Sequence, residues 1–116
     1  MALRKFVEKL TKPVEESDRE QLMTWCTQRD VVPLDALELR HPVRVGGEVR
    51  SVRIVPRAGA DALEATISDG RATVTAIFLG RRKIPGVSPG RRLILEGVVA
   101  HDTEGNVIYN PVYTLA

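Results

Sequence analysis

The spacing of apolar residues changes once along the chain, near residue 42. Before it, Leu3, Phe6, Val7 and Leu10 fall at i, i+3, i+4 and i+7, the stripe of one helix face. Pro13 ends that predicted helix near Thr11. Ser17-Asp-Arg-Glu20 has the spacing of a capping box, in which the serine accepts from a backbone N–H and the glutamate reaches back. It predicts a second helix that carries Leu22, Met23, Trp25 and Cys26 and fades around Arg29. Residues 33–39 read as one more helical turn or an extended linker to His41-Pro42.

Beyond Pro42 the period drops to two, and turn residues divide the chain into short strands. Residues 43–55 alternate, slip phase between Val49 and Val52, and include Gly46-Gly47; this is the pattern of a bent strand with a bulge. Residues 56–61 predict a loop. Leu63, Ala65 and Ile67 then alternate with Glu64, Thr66 and Ser68, and Asp69-Gly70 is a hairpin signal. The next strand, residues 71–79, sets Val74, Ala76 and Phe78 on one face and Thr73, Thr75 and Ile77 on the other. Residues 80–90 hold two prolines and three glycines and predict a structured loop rather than a helix. Residues 93–99 make a fourth strand, residues 102–105 a turn, and residues 107–115 a fifth strand. Five short strands with an early bent one form the pattern of an OB-fold barrel. The expected fold is α+β, mainly β: a helical leader over 1–40 and a five-stranded OB barrel over 41–116. The helix common between strands three and four is expected to be missing or reduced to one turn, and the leader to plug one end of the barrel.

With 116 residues the chain has room for one core. It has no apolar run long enough to cross a membrane, and charges interrupt its first ten residues where a secretory signal would be unbroken, so a cytoplasmic location is expected with no membrane partner. Cys26 is the single cysteine and reads as a small buried apolar residue. With only His41 and His101 beside it, neither a metal nor another cofactor is expected.

Charge sharpens the picture. The net +2 divides into −2 over residues 1–39, +7 over 40–92 and −3 over 93–116. Ten of the eleven cations in the central segment are arginines, whose planar forks suit phosphate. A polyanionic partner fits this distribution; an arginine-rich solvated surface accounts for it equally.

In order and spacing, Val45-Gly-Gly-Glu-Val-Arg-Ser-Val52, Leu63-Glu-Ala-Thr-Ile-Ser-Asp-Gly70, Ile77-Phe-Leu-Gly-Arg81, Ile84-Pro-Gly-Val-Ser-Pro-Gly-Arg-Arg92, Leu95-Glu-Gly97 and Asn110-Pro-Val-Tyr113 resemble the nucleic-acid-binding OB family. The texture is most similar to the wedge domain of RecG-type branch-migration helicases and to small stand-alone actinobacterial OB proteins. Anticodon-binding domains of class II tRNA synthetases share its first half. The resemblance covers residues 42–115 and implies a protein that binds single-stranded or branched DNA, or RNA, as an accessory in repair, recombination or translation. A motor does not carry over, because the chain contains no Gly-x-x-x-x-Gly-Lys-Ser/Thr run.

An OB barrel holds a strand on the face of its second and third strands, between the loops after strands one and four. The candidate contacts are Arg44, Arg50, Arg53, Arg57, Arg71, Arg81, Arg82 and Lys83 for phosphates, with Thr73 and Thr75 near the backbone. Glu64 on the same face would repel a phosphate. Aromatic platforms are scarce, since Phe78 shares the core face, Trp25 reads as packing, and only Tyr109 and Tyr113 remain. Such a site predicts weak, salt-dependent and sequence-tolerant binding. Carboxylates sit at separate turns and neither histidine is placed to activate a serine or threonine, so the chain is not expected to be an enzyme. The alternative function is a protein-docking module that uses the helices or strand edges for a partner or a second copy.

Overall fold

The structure, a computed structural model, describes residues 14–116, so the helix expected over Leu3 to Leu10 lies outside the described residues. Helix α1 is described over Val14–Thr27, so Ser17 lies inside it rather than capping it. At the far end the Thr24 and Thr27 hydroxyls donate back to the Glu20 and Met23 carbonyls, an alternative to the helical pattern that accompanies its end. A 3-10 turn (Leu34–Ala36) follows.

Six strands come next: β1 (Pro42–Arg57), β2 (Ala60–Ser68), β3 (Thr73–Leu79), β4 (Arg92–Asp102), β5 (Gly105–Tyr109) and β6 (Val112–Leu115). β1 pairs β2, β2 pairs β3, β3 pairs β5, β5 pairs β4, and β4 returns to β1, so five strands close a ring. Only β3–β5 is parallel, and β6 is appended to β4. This is the five-stranded OB barrel expected from the sequence, with a helix at its N-terminal side.

Closure depends on β1 changing partners midway. Residues 42–48 pair with β4 and residues 48–57 with β2, so Glu48 touches both ladders. Gly47 sits at this crossing, where a Cβ would come within 2.5 Å of the Ser68 carbonyl oxygen. The register shift between Val49 and Ser51 is the bulge that the phase slip predicts.

Two boundaries differ from expectation. The loop expected over residues 56–61 is strand almost to its tip, since Pro56 pairs with Asp61 and Arg57 with Ala60, leaving only Ala58 and Gly59 to turn. Both take positive φ, 51° and 79°, the requirement of a two-residue turn that matches strand twist. Pro56 is tolerated because β1 has no neighbour on its other side after Glu48. The single fifth strand expected over residues 107–115 is broken at Asn110-Pro111, where Asn110 turns at φ 48° and proline lacks the ladder donor.

The core follows the period-two reading. Val45, Val49, Leu63, Ala65, Ile67, Val74, Ala76, Phe78, Leu93, Leu95, Val99 and Ile108 fill the barrel. Leu34 from the 3-10 turn and Ile84 and Val87 from the β3–β4 loop join them. That loop holds no helix; buried Ile84 and Val87 supply the apolar cover instead. The plug expected of the leader is supplied by Leu34, while α1 leans on the outer wall. There Trp25 lies against Gly46 and Met23 against Gly70, and the Arg19 side chain donates to the Gly70 carbonyl at 2.6 Å. Cys26 is buried as expected, its thiol directed at the Gly46 carbonyl, and burial with help from Asp69 pushes it up to about 11, so it stays protonated.

Candidate nucleic-acid interface

The outward side of β2 and β3 is set by the register. Glu64 stands opposite Ile77, Thr66 opposite Thr75, and Ser68 opposite Thr73. Thr73 is exposed and Thr75 half-buried, so both threonines are present on the face where they were expected. Beside them Ala62, Ile77 and Val107, with Ala100, form a small second apolar cluster.

Ion pairs dominate the rest of this face. Glu64 is 2% exposed and receives Arg57 Nε at 2.7 Å on one oxygen and Arg53 at 3.1 Å on the other. Arg57 also reaches Asp102 at 3.0 Å, and Arg53 reaches Glu104 at 2.7 Å. Two guanidiniums and three carboxylates therefore tie the β1–β2 hairpin to the β4–β5 turn by way of β2. The bonds to Glu64 and Asp102 hold the Arg57 guanidinium even further from deprotonation than usual, and those to Glu64 and Glu104 do the same for Arg53. Reciprocally, the Arg57 bond and then the Thr103 N–H hold the Asp102 carboxyl below its usual range. Charge-assisted bonds of this kind are about twice as strong as neutral ones.

The other expected contacts are dispersed. Arg44 donates to the Asp30 carbonyl and pairs with Glu96 at 3.5 Å. Arg50 pairs with Glu48 at 3.1 Å, and Arg82 with Asp61 at 2.6 Å. Arg71, Arg81 and Lys83 are exposed and form no ion pair among the described residues. The ten candidates thus do not form one track: some are consumed by carboxylates, and those left open sit at the β2–β3 turn and at the start of the β3–β4 loop.

Sequence reasoning missed two arginines. Arg29, just past α1, lies 4.7 Å from the Trp25 ring centroid, and Arg92, opening β4, lies 5.5 Å from it. Neither meets a carboxylate among the described residues. Trp25 itself carried the signal, as an aromatic with an arginine four residues on along a helix. In the sequence Asp69 reads only as a turn residue. It is 4% exposed and accepts from the backbone N–H groups of Leu34, Arg71 and Ala72, at 2.8, 2.8 and 3.1 Å. Among the described residues no three His, Cys, Asp or Glu side chains gather as a metal would need, and no helix is long and apolar enough to cross a membrane.

No known protein family's sequence profile matches the chain, and no curated protein does. Its fold is similar to part of a chain in the structure of RecG bound to a three-way DNA junction, with a TM-score of 0.65 and 20% identity. The match covers 75% of this chain and 13% of that one. At that identity the likeness establishes the barrel.

Proposed function

We infer that this chain binds nucleic acid, single-stranded or branched DNA in the first instance and RNA as the competing ligand, as an accessory in repair or recombination. The observation that carries this reading is a set of exposed cations without carboxylate partners among the described residues, Arg71, Arg81 and Lys83, on an OB barrel. Similarity of that barrel to RecG, solved on a three-way DNA junction, supports the choice of ligand. Aromatic platforms remain few, Tyr109 being 42% exposed and Tyr113 packed edge-on against Phe78. Affinity therefore comes from phosphate contacts, is sequence-tolerant and falls steeply with salt.

The test is fluorescence anisotropy with labelled single-stranded DNA, single-stranded RNA and a forked duplex over a salt series. Binding along a straight log-salt line is expected, and the order of the three ligands names the substrate. No binding to any of them at low salt overturns the reading. The second reading, a protein-docking barrel, has one observation in its favour: Val98 and Val112 are 52% and 66% exposed beside the open edge of β6. Light scattering after size exclusion tests it, with a stable dimer as its signature.

A further inference from the structure

The cations of this chain sort by whether a carboxylate neutralises them. Between the β1–β2 hairpin and the β4–β5 turn, Arg53 and Arg57 face Glu64, Asp102 and Glu104 and are outnumbered by them. For a phosphate to bind there it must first displace three carboxylates, one of them buried. The flank where α1 meets β4 is arranged the opposite way. Arg29 and Arg92 are both held at the Trp25 ring, which places their guanidinium carbons within about 10 Å of each other. Arg71 lies on the other flank of the helix, where it lines a groove with Glu20, Met23, Thr24, Thr27 and Gln28 and is not part of this pair.

Two of the acidic groups nearby are committed to other partners. Glu48, the register partner of Arg92, holds Arg50 at 3.1 Å, and Asp69 is occupied by three backbone N–H groups. Two guanidiniums held near one ring without carboxylate partners among the described residues concentrate positive charge there, and guanidinium forks match phosphate oxygens. Trp25 sets their position in advance, so less side-chain freedom is lost on binding.

We propose that the α1–β4 flank, with Arg29 and Arg92 arranged around Trp25, is the surface that grips the nucleic-acid backbone, in place of the ion-paired face between the two hairpins. The proposal rests on the nucleic-acid reading above and moves its main contacts to residues outside the set expected from the sequence.

The experiment uses the full chain, an unlabelled and a labelled single-stranded DNA oligonucleotide, and the double variant Arg29→Gln/Arg92→Gln. Trp25 is the only tryptophan, so its emission reports on the flank in the unaltered protein. Emission is expected to change along the oligonucleotide titration with the same midpoint as anisotropy. Loss of two phosphate contacts lowers the log-salt slope by about 1.4 for a single strand and weakens binding roughly tenfold or more at 0.1 M salt. Wild-type binding with silent tryptophan emission, or with an unchanged slope in a double variant that melts as wild type does, overturns the flank and leaves the nucleic-acid reading standing. A wild-type chain that binds no DNA, RNA or fork at low salt overturns both.

Discussion

Arg57 and Arg29 stand on the same small barrel and meet opposite surroundings. Arg57 lies half-buried on β1 with Glu64 and Asp102 around it, and its charge is used to hold two hairpins together. Arg29 lies exposed beyond α1, against the face of Trp25 and with no carboxylate partner among the described residues. The difference lies in what each region does with its field. A guanidinium matched by carboxylates contributes to the fold and presents little net charge outward, whereas one held by an aromatic ring keeps its charge available. In an OB barrel the face between the loops after strands one and four is the usual place for a strand. Here that place is neutralised, and the available charge lies at the helix and the β3–β4 loop.

Removing the acid at the centre of the paired face gives the largest effect on folding. Glu64→Ala takes away the buried carboxylate shared by Arg53 and Arg57; the arginines keep Glu104 and Asp102 and reach water, so the loss is that of hydrogen bonds to a charged group at the upper end of their range, about 3 kcal/mol. Urea midpoints measure it; a shift under a fifth of that size would show that the cluster is only a surface arrangement. Asp69→Ala ranks next, at about 2 kcal/mol, because the buried Leu34 N–H loses its acceptor and the 3-10 turn that plugs the core is released. Arg29→Gln, by contrast, changes stability by at most about 1 kcal/mol, the worth of an exposed cation–π contact. A larger loss would place Arg29 among the structural arginines and erase the contrast.

Much of the barrel is legible in the residues themselves, because a period of two separates the faces of a strand without reference to anything distant. Leu63, Ala65 and Ile67 against Val74, Ala76 and Phe78 mark the core, and the slip after Val49 marks the bulge. The break at Pro111 was also present as a signal, since proline inside a strand demotes it. Charge partners are a different matter. Glu64 alternates between Leu63 and Ala65 as a solvent-facing residue would, yet it is buried, because Arg53 comes to it by register and Arg57 from the hairpin end. Asp102 and Glu104 approach from some forty residues along the chain, through the closure of the ring. Composition counts such charges but cannot pair them. The available cations emerge only after the paired ones are subtracted, which is why Arg29 and Arg92 were not distinguishable from their neighbours in the sequence.

Binding separates the two regions further. Arg53→Gln is expected to leave the salt slope for single-stranded DNA unchanged and affinity within about twofold, because its charge is already taken by Glu64 and Glu104. A slope reduced by about 0.7, one phosphate's worth for a single strand, would return the paired face to the binding site and count against the flank.

The smallest effect is a pH dependence confined to the paired face. The Arg57 bond, followed by the Thr103 N–H, holds the Asp102 carboxyl below its ordinary value of 3.8 in the folded chain. A depressed folded value means that the contribution is fully present above the unfolded value and is lost as pH falls through the folded one. The stability difference between wild type and Asp102→Asn is therefore expected to be constant from neutral pH down to about 4 and to shrink below it, as the native carboxylate takes up its proton. Urea midpoints at pH 7, 4 and 2.5 read the difference directly. Arg29→Gln supplies the control, because Arg29 has no carboxylate partner among the described residues, so its small stability difference is expected to stay level across the same range. An Asp102→Asn difference that is equally level would mean that Arg57 does not hold this carboxylate in solution, and one of the ties between the β1–β2 hairpin and the β4–β5 turn would be gone.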